Sequence, residues 1–107
     1  MTIIEKNSEL HQQMVTWRHH LHKHPELSFN ERMTSDYIAS ILQSHDIEIH
    51  RGLAVTGIVA TIHGQKEGSA IGLRADMDAL PIQELNDFSY KSVHDGKMHA
   101  CGHDGHS

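Results

Sequence analysis

The sequence predicts an α/β fold, two helices followed by a small mixed sheet containing a β-hairpin, on three observations. Apolar residues recur at helical spacing through the first half, short β-rich runs punctuated by glycine follow from residue 47, and a tail rich in Asp, His and Gly begins at residue 76. Leu10, Met14, Trp17 and Leu21 are spaced four, three and four apart with polar residues between them, the stripe of an amphipathic helix that must end before Pro25. Ser28 and Glu31 have the form of a capping box, and Met33, Tyr37, Ile38, Ile41 and Leu42 continue a second stripe to about His45. Met14 and Met33 sit on these stripes, the ordinary place for methionine as core filler. Three strands are expected at 47–50, 58–62 and 70–73, with residues 64–68 as a hairpin turn that makes the second and third antiparallel neighbours. From Asp76 to Ser107 no sustained apolar period remains, so this stretch is expected to be loop that builds a site, with no closing helix or strand over the sheet.

A chain of 107 residues holds one compact unit and hardly two, and only 5% aromatic residues make its core thin. There are no internal repeats and no low-complexity linker. Fourteen Asp and Glu against nine Lys and Arg give a net charge of −5, with no basic stripe, which argues against nucleic acid as a partner. No apolar run approaches the roughly 20 residues a membrane span needs, and Glu5 and Lys6 stand where a signal peptide would be apolar, so a soluble, cytoplasmic protein is expected. The single Cys101 cannot form an internal disulfide, in keeping with a reducing compartment.

Twelve histidines are the most unusual feature, four of them between His19 and His24 and four more at His94, His99, His103 and His106. In Cys101-Gly102-His103 a thiolate and an imidazole separated by one glycine can turn toward a single metal ion, and S and N donors favour zinc. The plainer reading is a buried free cysteine beside an exposed histidine. Asp76 and Asp78 follow a predicted strand and would point to one side of an extended chain, where a carboxylate binds a metal or orients a metal-ligating histidine; the plainer reading is a turn capped by Asp78. His20 and His24 lie four apart on one helix face, but histidines in a last helical turn favour the helix dipole and are usually solvated. No acidic partner stands among them, so no metal role is assigned to this run.

Three segments, WRHHLHKHPEL at 17–27, LRADMDALPI at 73–82 and MHACGHD at 98–104, together closely resemble the hippurate hydrolase group of metal-dependent amidohydrolases, related to aminoacylases and carboxypeptidase G. The resemblance runs from about Leu10 to Ser107 and covers the N-terminal part of the family's length. It implies that residues 1–107 are the N-terminal portion of one α/β metallopeptidase-like catalytic domain, incomplete, without the inserted dimerisation and lid domain or the C-terminal part. It implies two divalent metal ions, zinc or alternatively manganese, with Cys101 and His103 matching two of their ligands. Asp78 matches the catalytic-site aspartate that supports a metal-ligating histidine in related enzymes. Asp76 stands where those relatives carry that histidine, and His19 where many members have a second arginine.

The implied reaction is hydrolysis of the amide bond of small N-acyl amino acids by metal-activated water with a glutamate as base. That glutamate, a second glutamate, two histidine ligands and the contacts to the substrate carboxylate follow Ser107 in the family, so a chain of these 107 residues alone is expected to be inactive. A homodimer is the assembly implied for a complete enzyme. Two other readings compete: a stand-alone histidine-rich module that binds several transition-metal ions, and a non-catalytic partner that pairs its sheet with a full-length homologue.

Overall fold

Ser8 starts the first helix. Its side chain accepts the His11 N–H at 3.2 Å, and α1 runs Glu9–Lys23 with an acid in its first turn and His20, His22 and Lys23 in its last, the charge order a helix dipole favours. Pro25, fully buried, keeps His24 out of the helical region and ends it. The structure, a computed structural model, describes Glu5 and residues 8–107; the reading that leaned on Lys6 lies outside the described residues. Among the described residues no helix is long and apolar enough to cross a membrane.

The second helix, α2, spans Arg32–Ser44. The capping box expected of Ser28 and Glu31 is not formed: Glu31 stands at the N-cap and its side chain makes no capping bond to the helix. Glu26 takes over that role, accepting Thr34 N–H at 2.6 Å, Thr34 Oγ1 at 2.7 Å and Met33 N–H at 3.3 Å. The reason is the turn at 27–30, closed by Asn30 N–H on Leu27 O with Phe29 at φ 65°, which folds Glu26 over the open amides of the helix. The buried face of α2 is made of small residues, Thr34, Ser35 and Ala39, so a hairpin backbone approaches closely and Ser35 Oγ donates to Thr56 O at 2.8 Å. Met33 does not fill the core; it is 68% exposed.

The hairpin consists of β1, Glu48–Leu53, and β2, Gly57–Thr61, antiparallel with Ile49 opposite Ala60 and Arg51 opposite Ile58. Here the structure departs from the sequence-based expectation. The turn lies at 54–56, not 64–68, and the register slips between Arg51 and Leu53. Gly57 is required at its mouth, because a Cβ there would stand 2.5 Å from Leu53 O. The third expected strand, 70–73, is not formed, since among the described residues no strand lies beside it; Ile71 is 90% and Leu73 97% exposed.

Among the described residues one isolated bridge ties the later segment to the chain between the helices, and a second folds that segment on itself. Leu27 pairs with Ala79 in parallel and Leu80 with Met98 in antiparallel. Ala79 N–H donates to Glu26 O at 2.8 Å, Leu80 and Met98 exchange bonds at 2.9 and 3.0 Å, and Val93 N–H reaches Lys23 O at 2.9 Å. The closed centre of the fold is therefore where α1 ends: Leu21, Pro25, Ala39 and Ala79 are buried. Leu10 and Met14 remain 44% and 45% exposed on a groove of about 510 Å³ that Ile38, Ile41 and Leu42 also line. The tail, expected to lack a helix, ends in a single helical turn, α3, His103–His106.

Candidate functional site

Residue 102 shapes the tail. Gly102 has φ 86°, a left-handed conformation that glycine adopts at little cost, and it turns the chain directly from Cys101 into α3. Cys101 is exposed, so it is not the buried thiol of the plainer reading. The His103 ring is about four-fifths covered, and its Nδ1–H is shared between Asp78 Oδ1 at 2.9 Å and Asp78 O at 3.0 Å. With Nδ1 so fixed, Nε2 is the ring nitrogen left for a ligand. Ser107 Oγ donates to Asp76 O at 2.7 Å and ties the other end of α3 to the same stretch of chain.

The two carboxylates of the 76–78 pair go separate ways. Asp78 meets His103, whereas Asp76 pairs with exposed Arg74 at 2.7 Å. Extended chain permits one side for both, but each carboxylate has found a different cation or donor.

The histidine run of α1 is not simply solvated. His22 is only 4% exposed, and both of its ring nitrogens face carboxylates: Nδ1 lies 2.9 Å from Asp104 Oδ2, and Nε2 lies 2.9 and 3.1 Å from the Glu84 oxygens. Arg18 Nε approaches Asp104 at 3.4 Å. The acids absent from the local sequence thus arrive from 62 and 82 residues away. Around His22 stand Phe88 and Tyr90, stacked on each other at 4.1 Å, with His19 stacked on Tyr90 at 3.7 Å. No sequence periodicity signals this cluster.

Burial alone would raise the Glu84 carboxyl, but hydrogen bonds from His22, Asn86 and the Ser92 N–H outweigh it and hold the group below its ordinary value. A carboxyl depressed in the folded state contributes stability above its unfolded pKa, about 4.3, and loses that contribution as pH falls through the folded value. Glu84→Gln is therefore expected to lower stability at neutral pH and to flatten its decline below about pH 4.3. Urea midpoints measured from pH 7 down to 3 check this, and parallel curves for the two proteins would show that Glu84 carries no such linkage.

His99 is 5% exposed and neither ring nitrogen has a partner among the described residues. Burial, the largest influence, lowers its pKa; Asp104 and Asp78 oppose this, while His22 and His103 add to it. Also among the described residues, no three His, Cys, Asp or Glu side chains converge to hold one metal ion.

The comparisons with known proteins fall on this same region. The model of peptidase family M20/M25/M40 matches residues 72–107, the segment that carries Asp78, Cys101 and His103. An N-acyl-L-amino acid amidohydrolase of Geobacillus stearothermophilus is 48% identical over 100 residues, covering 92% of this chain and 27% of that protein. Hippurate hydrolase of Campylobacter jejuni is 40% identical over 107 residues, all of this chain and 28% of the relative. The crystal structure of the Bacillus subtilis YXEP protein, described as a dinuclear metal binding peptidase from the M20 family, superposes with a TM-score of 0.86 at 46% identity, covering 90% of this chain and 27% of that one. Over residues 72–107 the chain carries the match to the M20 peptidase family. It spans about a quarter of the length of the M20 relatives it matches, and its fold is of their α/β class.

Proposed function

We propose that this chain contributes the Cys101 and His103 side of a dinuclear metal site in an M20 amidohydrolase that cleaves the amide bond of N-acyl amino acids. The observation that carries the reading is the His103–Asp78 pair at 2.9 Å. A carboxylate on one ring nitrogen sets the tautomer, raises the basicity of the other nitrogen and is the usual support of a metal-bound histidine. The donor set fits: an exposed thiol and a half-free imidazole suit zinc, and carboxylate ligands from elsewhere in the protein would suit manganese as well. When bound, the metal pair would supply Lewis acidity toward the amide carbonyl and a water acidic enough to act as nucleophile at neutral pH. Within this chain, Cys101 and His103 would hold metal, Asp78 would orient His103, and Gly102 would allow the turn between the two donors.

Residues 1–107 are read as the opening portion of one catalytic domain, with a homodimer as the assembly of the whole enzyme. Two donors leave a metal mostly to water and weakly held, so a polypeptide of residues 1–107 by itself is expected to be inactive. A location in the reducing cytoplasm suits an exposed thiol that must stay reduced to bind metal. A metal-buffering module is the weaker reading, because its histidine run is already engaged: His22 by two carboxylates, His19 and His20 by stacking on Tyr90 and Tyr37, and His24 by His20 O.

The test uses the complete gene product isolated from its source. It is expected to hydrolyse N-acetyl or N-benzoyl amino acids, to lose at least about a hundredfold in rate on exhaustive chelation, and to regain it with zinc or manganese. Activity that survives removal of all metal, or no hydrolysis of any N-acyl amino acid by metal-loaded protein, would refute the proposal.

A further inference from the structure

We propose that His22 is a positioning residue for the metal-binding turn, acting through Asp104 to hold α3, and with it His103, against the 84–92 loop. The inference rests on the metal reading above and names a part of the site that lies on none of its ligands.

The geometry is specific. Among the described residues, the His22 ring joins three pieces of chain by hydrogen bonds: α1, which carries it, α3 through Asp104, and the 84–92 loop through Glu84. All three side chains are nearly sealed, with 5%, 3% and 2% of their side-chain surface exposed for His22, Asp104 and Glu84. Ionised carboxylates only accept, so the arrangement is satisfied when both ring nitrogens of His22 carry hydrogen. Glu84 is held further by Asn86 Nδ2 at 2.9 Å and Ser92 N–H at 2.7 Å, which makes it a fixed anchor. Among the described residues Asp104 has only Arg18 besides, at 3.4 Å and on a side chain that is 47% exposed.

The consequence for the site follows from sequence distance. Asp104 is the residue after His103, and α3 is one turn long, too short to hold its own orientation by backbone bonds. Its placement depends on side-chain ties, Asp78 on His103 and Ser107 on Asp76 O on the side of the 76–78 segment, and His22 on Asp104 on the side of α1. Removing the His22 ring leaves Asp104 with one weak donor and frees that side of α3 to rotate. Rotation of α3 moves the His103 ring away from Asp78. The carboxylate behind a metal-bound histidine is typically worth 10- to 100-fold in metal affinity, and the His22 tie acts on that contact at one remove, which places its effect at the lower end.

The experiment is a Co²⁺ titration of the complete, metal-free gene product, reading the thiolate-to-cobalt charge-transfer band and the ligand-field bands. His22→Ala is expected to weaken Co²⁺ binding about tenfold and to shift the ligand-field bands, with far-UV circular dichroism unchanged. Two near-isosteres separate positioning from bulk. The amide nitrogen of His22→Asn overlays Nδ1 and retains a donor to Asp104, whereas that of His22→Gln overlays Nε2 and retains the donor to Glu84. The proposal expects Asn to restore cobalt affinity and spectrum better than Gln, and this pair decides the question where the alanine variant does not fold. Wild-type affinity and spectrum in folded His22→Ala, or Gln restoring as well as Asn, would overturn the proposal. A missing thiolate band in the unaltered protein would instead sink the metal reading itself.

Discussion

Cys101→Ala in the complete gene product is expected to abolish stable metal loading and to lower hydrolysis of N-acyl amino acids by about a thousandfold or more, while leaving the fold unchanged. The two halves of this expectation come from different facts. The Cys101 side chain is exposed, makes no disulfide and lies outside the buried set around Leu21 and Ala79, so its loss should change stability by no more than about 0.5 kcal/mol. As a metal donor, however, it would be one of only two that this chain offers, and several kcal/mol of charge stabilisation depend on the metal being held. Metal content of the purified variant, its thermal midpoint and its kcat/KM measured together separate the two. Wild-type activity with full metal occupancy would remove Cys101 from the site.

How far the sequence led can be followed element by element. α1 was legible as a stripe and at its end, because Pro25 is a local stop signal, whereas the Ser8 cap at its start emerged only in the structure. α2 was legible as a stripe, but its cap was not, since Glu26 reaches Thr34 over a turn whose left-handed residue, Phe29, no propensity marks. The hairpin was placed one turn too late for a related reason. Ala54 and Val55 both take positive φ in the true turn, at 48° and 75°, a conformation neither residue advertises, whereas the glycines at 64 and 68 advertised a turn that pairs nothing. The run 70–73 has strand composition without a strand beside it, and composition cannot supply a partner.

The candidate site divides along the same line between local and distant information. Asp78, Cys101 and His103 could each be singled out by residue type and spacing. Their arrangement could not: the Asp78–His103 contact spans 25 residues and depends on the Leu80–Met98 bridge that lays one segment against the other. His22 was set aside because its neighbours in sequence are basic or apolar, yet its partners in space are two acids. A histidine run at a helix end reads as solvated until tertiary structure brings carboxylates to one member of it. The charge pattern of a short helix thus predicts its dipole interactions well and its buried ion pairs not at all.

Asp78→Asn is expected to lower metal affinity, and with it the rate at limiting metal, by about tenfold, the lower end of the range for loss of a carboxylate behind a metal-bound histidine. The smaller figure follows from the geometry. His103 Nδ1–H is shared between the Asp78 carboxylate at 2.9 Å and the Asp78 backbone oxygen at 3.0 Å, so the backbone keeps the tautomer correct when the side chain changes. What is lost is the negative charge that raises the basicity of the opposite nitrogen. Asp76→Asn provides the contrast, because that carboxylate pairs with an Arg74 side chain that is 85% exposed and is worth little in water. Metal dissociation constants for the two variants, measured in the complete protein, should therefore differ by about the same tenfold factor. Equal effects at the two positions would mean that the carboxylates act through their shared stretch of chain, and that the contact to His103 has no bearing on the metal.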